Sequence, residues 1–236
     1  PAGLCTKLSN EGRTFQQEFH QGYHALIDDL EMSVISPLVK DKSVLEVGCG
    51  TGLILRRLHE LASEAKGIDL SEGMVSKAKD RGLDVQVGSA TEIPFEDNRF
   101  DVVCSFKVLA HVPNITRALE EMVRVAVPGG TVVAEFYNPW SLRYMAKRLA
   151  GPGRISAKRT EADVYTRWDS PLTISKIIPP NAHLITYRGV RVFSPSAFMH
   201  DIPVAGAWLA KAEHAAVTSP LRYFGGFLLA LIRKQD

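Results

Sequence analysis

The chain has 236 residues, 45% of them hydrophobic and 23% charged, a balance that closes a core in one large α/β domain and excludes a disordered or collagen-like chain. A net charge of +2 gives no reason to expect nucleic acid as a partner. Its three cysteines, Cys5, Cys49 and Cys104, form no CxxC pair, so neither a zinc site nor a disulfide framework is indicated, and the cytoplasm is the expected compartment.

In chain order, residues 15–30 read as an amphipathic helix, with Phe15, Phe19, Tyr23 and Leu26 at helical spacing. The N-terminal stretch shows no basic segment followed by an apolar run, so no signal peptide is expected. Residues 43–47 read as a buried strand, followed by a glycine turn and a helix over 53–61. A second strand is expected over 65–70, a helix over 72–79, a short third strand over 85–87 and a fourth over 101–106. A helix over 115–125 leads to a Pro128-Gly129-Gly130 turn and a fifth strand over 131–136. Such alternation implies βαβ units and a parallel sheet. Residues 140–182 read as a long irregular insertion. Strand signals return at 183–192 and 227–233, around a helix at 205–216, as a late antiparallel closure of a mixed sheet. The apolar run within 227–232 is far shorter than the ~20 residues of a membrane span.

The strongest local signal is Glu46-Val47-Gly48-Cys49-Gly50-Thr51-Gly52, at a strand end that opens a helix. Glycines there permit positive φ and close approach of a ligand to the backbone. The dinucleotide pattern GxGxxG needs a third glycine where Leu53 stands, so that fingerprint fails and the spacing is GxGxG. Glu46, two positions before the first glycine, suits a ligand's ammonium group. Asp69 ends the second strand 21 positions after Gly48, where a carboxylate gripping ribose hydroxyls is expected. A helix N-cap is the plain structural alternative for Asp69 or Ser71.

VLEVGCGTG, GIDLSEGMV, GSATEIPFEDNRFDVV, HVPN and PGG, in this order, resemble the class I S-adenosylmethionine-dependent methyltransferases, in particular the group that includes ubiquinone and menaquinone biosynthesis enzymes. The resemblance covers residues 42–137 and implies a Rossmann-like, mostly parallel seven-stranded sheet with helices on both faces and a late antiparallel strand. It implies one domain: a helical cap over 1–40, a cofactor core over 41–137, a substrate lid over 138–182 and closing elements over 183–236. It implies that Glu46, Gly48, Cys49, Gly50 and Gly52 cradle the methionine part of S-adenosylmethionine, with Asp69 on the ribose and Leu70 and Met74 near the adenine. Ser89, Ala90 and Thr91 would lie on the adenine's other side, and Phe106 and Lys107 beside the methionine moiety. Family members often carry an aspartate where this chain has Ser89, a neutral and weaker acceptor, which moves the adenine contact toward the backbone of Ala90. The Pro94-Phe95 and Phe100-Asp101 pairs are read as structural.

Methyl transfer from a sulfonium is an in-line displacement, so positioning supplies much of the rate and a base is needed only for a poorly acidic acceptor. His111, after the fourth strand, is the base candidate, against a packing or capping role. Phe19 and Tyr23 on the N-terminal helix, and Tyr137, Trp140 and Tyr144 after the fifth strand, are the candidate acceptor-binding residues. Ordinary core packing is the alternative for each. His20 and His24 have a metal-compatible i,i+4 spacing but no evident third ligand, so no metal is expected. Arg143, Lys147, Arg148, Arg154, Lys158, Arg159 and Arg167 make the insertion basic against Glu161 and Asp163, a solvated face or an attractor of anions. Asn138-Pro139-Trp140 resembles the motif of nucleic-acid base methylation, but that motif follows the fourth strand, where this chain reads Phe106-Lys107-Val108. The expected partner is a small-molecule methyl acceptor, with oxygen the first expectation, carbon the second and nitrogen the third; no oligomeric state is legible. A non-catalytic cofactor-binding scaffold and a methyltransferase acting on RNA or protein are the rival readings, with a nicotinamide oxidoreductase, disfavoured by Leu53, a distant third.

Overall fold

The computed structural model describes residues 23–150, 154–156, 159–160, 165–194 and 205–236. Helix α1 (Tyr23–Val39) precedes β1 (Ser43–Val47), α2 (Leu53–His59), β2 (Glu64–Asp69), α3 (Glu72–Lys79) and β3 (Asp84–Val87). Then come β4 (Phe100–Ser105), α4 (Ile115–Val125), β5 (Ala126–Tyr137) and α5 (Leu142–Ala150). A small hairpin, β6 (Arg154–Ser156) with β7 (Arg159–Thr160), is followed by α6 (Pro171–Ile177), β8 (Ala182–Val190), α7 (Ala205–Ala216) and β9 (Phe227–Lys234).

The main sheet has seven strands in the order β3-β2-β1-β4-β5-β9-β8. β1 to β5 pair in parallel, while β9 is antiparallel to both β5 and β8. One reversed strand therefore separates β8 from the parallel block, and β8 runs in the block's own direction. The order reverses at β1/β4, and in open α/β sheets ligands bind at such a switch point, outside the carboxyl ends of the strands.

Strand alternation sorts the core into two layers. Val44, Val133, Leu229 and Leu231 face α1, α2 and α3, with Leu30, Ile35, Leu55, Leu58, Val75 and Ala78 packed against them. Leu45, Val47, Val103, Val132, Ala134 and Phe136 face α4 and α6 on the other side, against Leu119, Met122 and Ile174. Glu46 and Glu135 share the parity of Val44 and Val133, which turns two carboxyl groups toward the α1 layer.

Several boundaries differ from the sequence expectation for local reasons. The first helix runs on from Leu30 to Val39 because Met32, Val34, Ile35 and Val39 continue its buried face. The Pro-Gly-Gly turn is absorbed into β5, where Gly129 takes φ 70° and the pairing with β4 shifts register. The insertion is not irregular throughout, since it holds α5, the small hairpin and α6. Ser170 caps α6 by accepting from the Thr173 N–H at 3.2 Å, and Pro171 opens its first turn. Among the described residues no helix is long and apolar enough to cross a membrane.

Candidate active site

The glycine loop is tied to the end of β2. The N–H groups of Gly48 and Cys49 donate to the Ile68 carbonyl at 2.7 and 2.9 Å. Gly50 N–H donates to Asp69 Oδ2 at 2.8 Å, and Ser71 N–H donates to Asp69 Oδ1 at 2.9 Å. Asp69 thus holds the loop and the start of α3 together while staying half-buried at the strand end. Ser71, not Asp69, is the N-cap of α3. Gly48 and Gly50 need glycine for different reasons. Gly48 has φ 79°, and a Cβ there would lie 2.3 Å from a Val108 methyl. Gly50 has φ 55°, and a Cβ would meet nothing within 4 Å, so open space adjoins the loop at that point.

Around this loop, Leu70 is exposed at the end of β2 and Met74 is half-buried one turn into α3. Ser89 Oγ pairs with Thr91 Oγ1 at 2.9 Å and accepts from Thr91 N–H at 3.2 Å, so the serine is engaged in its own turn. Ala90 stays partly buried beside it. Cys49 is buried and its thiol is pushed up by that burial and by Glu46 and Asp69, which makes it inert packing. The Phe106 side chain is buried in the α1 layer, in the same cluster as Cys49 of the loop. Asp101 Oδ2 accepts from Ser43 N–H at 2.9 Å and Ser43 Oγ at 2.7 Å, and Phe100 stacks edge-on against Phe95 at 5.1 Å. Those residues fix β4 against β1.

An acidic cluster beneath the strand ends joins residues that no sequence motif connected. Lys107, in the left-handed region at φ 60°, sends Nζ to Asp28 Oδ1 at 2.6 Å and to Glu31 Oε2 at 3.1 Å. Its N–H donates to Glu135 Oε1 at 3.0 Å. Burial alone would lower the Lys107 ammonium, but Glu31, Asp28 and Glu135 outweigh it and hold this group well above its ordinary range. Burial raises Glu31, and Glu135 adds to the rise. Burial also raises Glu135, against the pull of Lys107. Glu135 Oε2 and both Glu31 oxygens lack a hydrogen-bond donor, although Lys107 forms an ion pair with Glu31. Burial and their mutual repulsion both disfavour full ionisation of the two carboxyl groups. Glu46 is buried as well, its Oε2 has no partner, and burial pushes its carboxyl up to about 8 despite Lys107.

Beside this cluster, at the ends of β5 and β9, stands an aromatic group. Tyr137 lies 5.3 Å from Phe227, 5.5 Å from Trp168 and 5.7 Å from His111, centroid to centroid. Tyr144 joins through Trp168 at 4.7 Å. The segment carrying Trp168 is stitched to the site by three bonds. Arg167 N–H donates to the Ala110 carbonyl at 2.8 Å, Asp169 N–H donates to the Tyr137 carbonyl at 2.8 Å, and His111 Nδ1 bonds the Tyr165 carbonyl at 2.9 Å. Because a carbonyl only accepts, Nδ1 of the exposed His111 is the donor in this bond, which leaves Nε2 as the acceptor of the neutral ring. Arg143 lies over three of these rings, its Cζ 4.9 Å from Tyr137, 5.1 Å from Phe227 and 5.4 Å from Trp168. Gly226 leaves room for it, since a Cβ there would lie 3.3 Å from Arg143 Cδ.

Trp140 has no ring contact with this group among the described residues. It is exposed on the outer side of a turn organised by Asn138, whose Oδ1 accepts from Trp140 N–H at 3.0 Å. The buried Asn138 amide donates to the Tyr223 and Gly225 carbonyls at 2.8 and 2.9 Å, so the Asn-Pro-Trp run is a structural elbow between β5 and α5. Phe19 and His20 lie outside the described residues, as do the side chains of Tyr23 and His24. Asp28, Glu31, Glu135, Arg143, Trp168 and Phe227 were missed by motif reading. The signal for one of them was present: Glu135 is a lone acid inside an otherwise apolar stretch. A surface groove of about 560 Å³ along Ile93, Pro94, Phe95, Glu96 and Arg99 opens where β4 begins, away from the strand ends that carry this chemistry.

Comparison with known proteins shows what the fold and these residues are similar to. Residues 45–134 match the model of the methyltransferase domain. A demethylmenaquinone methyltransferase of Renibacterium salmoninarum is 39% identical over 137 residues, covering 54% of this chain and 58% of that protein. A protein of Oryza sativa subsp. japonica named "Probable tocopherol O-methyltransferase, chloroplastic" is 32% identical over 189 residues, 75% of this chain and 50% of that one. Among solved structures, an S-adenosylmethionine-dependent methyltransferase of Thermotoga maritima superposes with a TM-score of 0.69 at 17% identity, covering 97% of both chains, a likeness of fold. Residues 45–134 are thus similar to the methyltransferase domain, and the fold around them is shared with an S-adenosylmethionine-dependent methyltransferase. The chain spans about half to two thirds of the length of the curated relatives it matches.

Proposed function

We propose that the protein transfers the methyl group of S-adenosylmethionine to a small-molecule acceptor, with oxygen the first expectation for the acceptor atom, carbon the second and nitrogen the third. The observation that carries this reading is the unpartnered Glu46 Oε2, buried beside a glycine loop that opens onto free space at Gly50. A buried carboxylate oxygen without a donor is costly, and a ligand ammonium group would satisfy it. The acids Asp28, Glu31, Glu46 and Glu135 near the Lys107 ammonium further suit a cationic ligand.

In this reading Glu46, Gly48, Gly50 and Gly52 hold the methionine part, with the Cys49 and Lys107 backbones beside it. Asp69 takes the ribose hydroxyls, and Leu70, Met74 and the Ser89-Ala90-Thr91 turn border the adenine. S-adenosylmethionine, when bound, supplies an electrophilic methyl group on a sulfonium. Tyr137, Tyr144 and Trp168 position the acceptor, and α5 with the 165–169 segment excludes water from it. His111 receives the acceptor's proton at Nε2, its tautomer fixed by the Tyr165 carbonyl.

The test follows S-adenosylhomocysteine release from a panel of phenols and quinols. His111→Ala should lower kcat by about 10²-fold, the lower end for a general base, and remove the acid limb of the rate–pH profile. Affinity for S-adenosylmethionine should stay within about twofold. Full turnover by His111→Ala across pH would remove the histidine from the mechanism, and a wild-type protein that turns over no member would count against the oxygen acceptor.

A further inference from the structure

We propose that Arg143 reads an ionised oxygen on the acceptor, which makes the acceptor a phenolate or enolate on a planar ring rather than an amine. This inference rests on the methyl-transfer reading above and narrows its substrate class.

Arg143 Nη1 is buried and has no hydrogen-bond partner. Among the described residues no carboxylate pairs with this guanidinium, although Glu135 is near enough to feel its charge. A guanidinium usually answers burial with a bidentate carboxylate or phosphate. Here three ring faces hold it instead, over Tyr137, Phe227 and Trp168. Ring faces satisfy the charge but accept little from the N–H groups, so the donor remains available to an oxygen anion. The Tyr137 ring is 4.9 Å from Arg143 and 5.7 Å from His111, so the guanidinium and the proposed base both contact one ring. Lys147, 5.9 Å from the Trp168 ring, adds a second cation on the same helix. Glu135, which feels the Arg143 charge, and Glu31 both face Lys107, which limits their repulsion of an anion.

The chemistry balances without an oxidant or reductant. The acceptor hydroxyl gives its proton to His111 Nε2. The oxygen lone pair forms the new O–CH3 bond as the S–CH3 bond breaks, and sulfur keeps the bonding pair as a neutral thioether. Arg143 lowers the cost of the oxyanion before attack. A protonated amine in the same place would meet two cations.

The experiment uses the complex with S-adenosylhomocysteine, which prevents turnover, and two chromophoric probes. 4-Nitrophenol reports its own ionisation by absorbance, and 4-nitroanisole is its neutral methyl ether. The wild-type complex should bind 4-nitrophenolate about tenfold or more tighter than 4-nitroanisole, the worth of one charge-assisted hydrogen bond, and bound 4-nitrophenol should ionise at lower pH than free. Arg143→Gln should lose that preference and Arg143→Lys should keep part of it. Both variants should hold S-adenosylhomocysteine within about twofold of wild type. Absence of 4-nitrophenolate binding by the wild-type complex, or an undiminished preference in Arg143→Gln, overturns the inference. Failure of the wild type to bind S-adenosylhomocysteine would instead bring down the methyl-transfer reading beneath it.

Discussion

The two halves of the strand-end crest are built by different means. Around β1 and β2 the machinery is local: the glycine loop, Asp69 and Ser71 lie within 26 positions of one another, and backbone N–H groups tie them together. Around β4, β5 and β9 the machinery is assembled from afar. Lys107 meets Asp28 and Glu31 from α1, and Tyr137 meets His111, Trp168 and Phe227. The local half depends on backbone conformation, which tolerates few residue types. The distant half depends on side chains that another arrangement could supply. A cofactor common to a large family suits the first half, and an acceptor peculiar to one protein suits the second.

Breaking the local half should have the larger effect. Asp69→Ala removes a carboxylate that serves two backbone donors and, in the proposed role, the ribose. Affinity for S-adenosylmethionine should fall by about 10- to 150-fold, equivalent to roughly 1.5–3 kcal/mol, as read by calorimetry. An unchanged affinity in the folded variant would reject the ribose assignment.

Glu46→Gln should have a smaller effect on affinity, about tenfold or less, because a neutral amide still accepts from an ammonium group. Its sharper consequence concerns protons. The Glu46 carboxyl sits at about 8 in the ligand-free protein because of burial, so at neutral pH it is mostly protonated. A cationic ligand favours the ionised form. Binding near pH 7 should therefore release approximately one proton, measured as a dependence of binding heat on the buffer's ionisation enthalpy, and Glu46→Gln should abolish most of that release. The sign for stability follows from the same shift. A carboxyl raised on folding contributes stability that is fully present below its unfolded value and lost as pH rises through about 8. The ligand-free protein should accordingly lose thermal stability over that window, and Glu46→Gln should flatten the loss.

The same contrast explains what could be read from the amino acids. β1 to β4 with their helices were legible because the hydrophobic period agrees with the local structure, and α3 and α4 have the bounds their periodicity implies. The glycine loop and Asp69 were legible because spacing along the chain is spacing in space. α5 was hidden because its pattern runs against its environment. Leu142, Met145 and Leu149 are exposed, while the polar Arg143 and aromatic Tyr144 turn toward the ring group. A tertiary contact overrides the binary pattern there. α6 had its Ser-Pro start signal but lay inside a stretch read as irregular. Trp168, not Trp140, completes the aromatic group because Asn138 turns the chain outward at Trp140 before α5 begins. Glu31 and Glu135 are 104 positions apart, and no local pattern pairs them.

The most direct test of the central claim is a calorimetric titration of the purified protein with S-adenosylmethionine and, in parallel, with NADH, after mass spectrometry has shown that no cofactor product is retained. The account predicts saturable binding of S-adenosylmethionine with proton release and no binding of NADH. A ligand-free, folded protein that binds NADH, or that fails to bind S-adenosylmethionine, would contradict it.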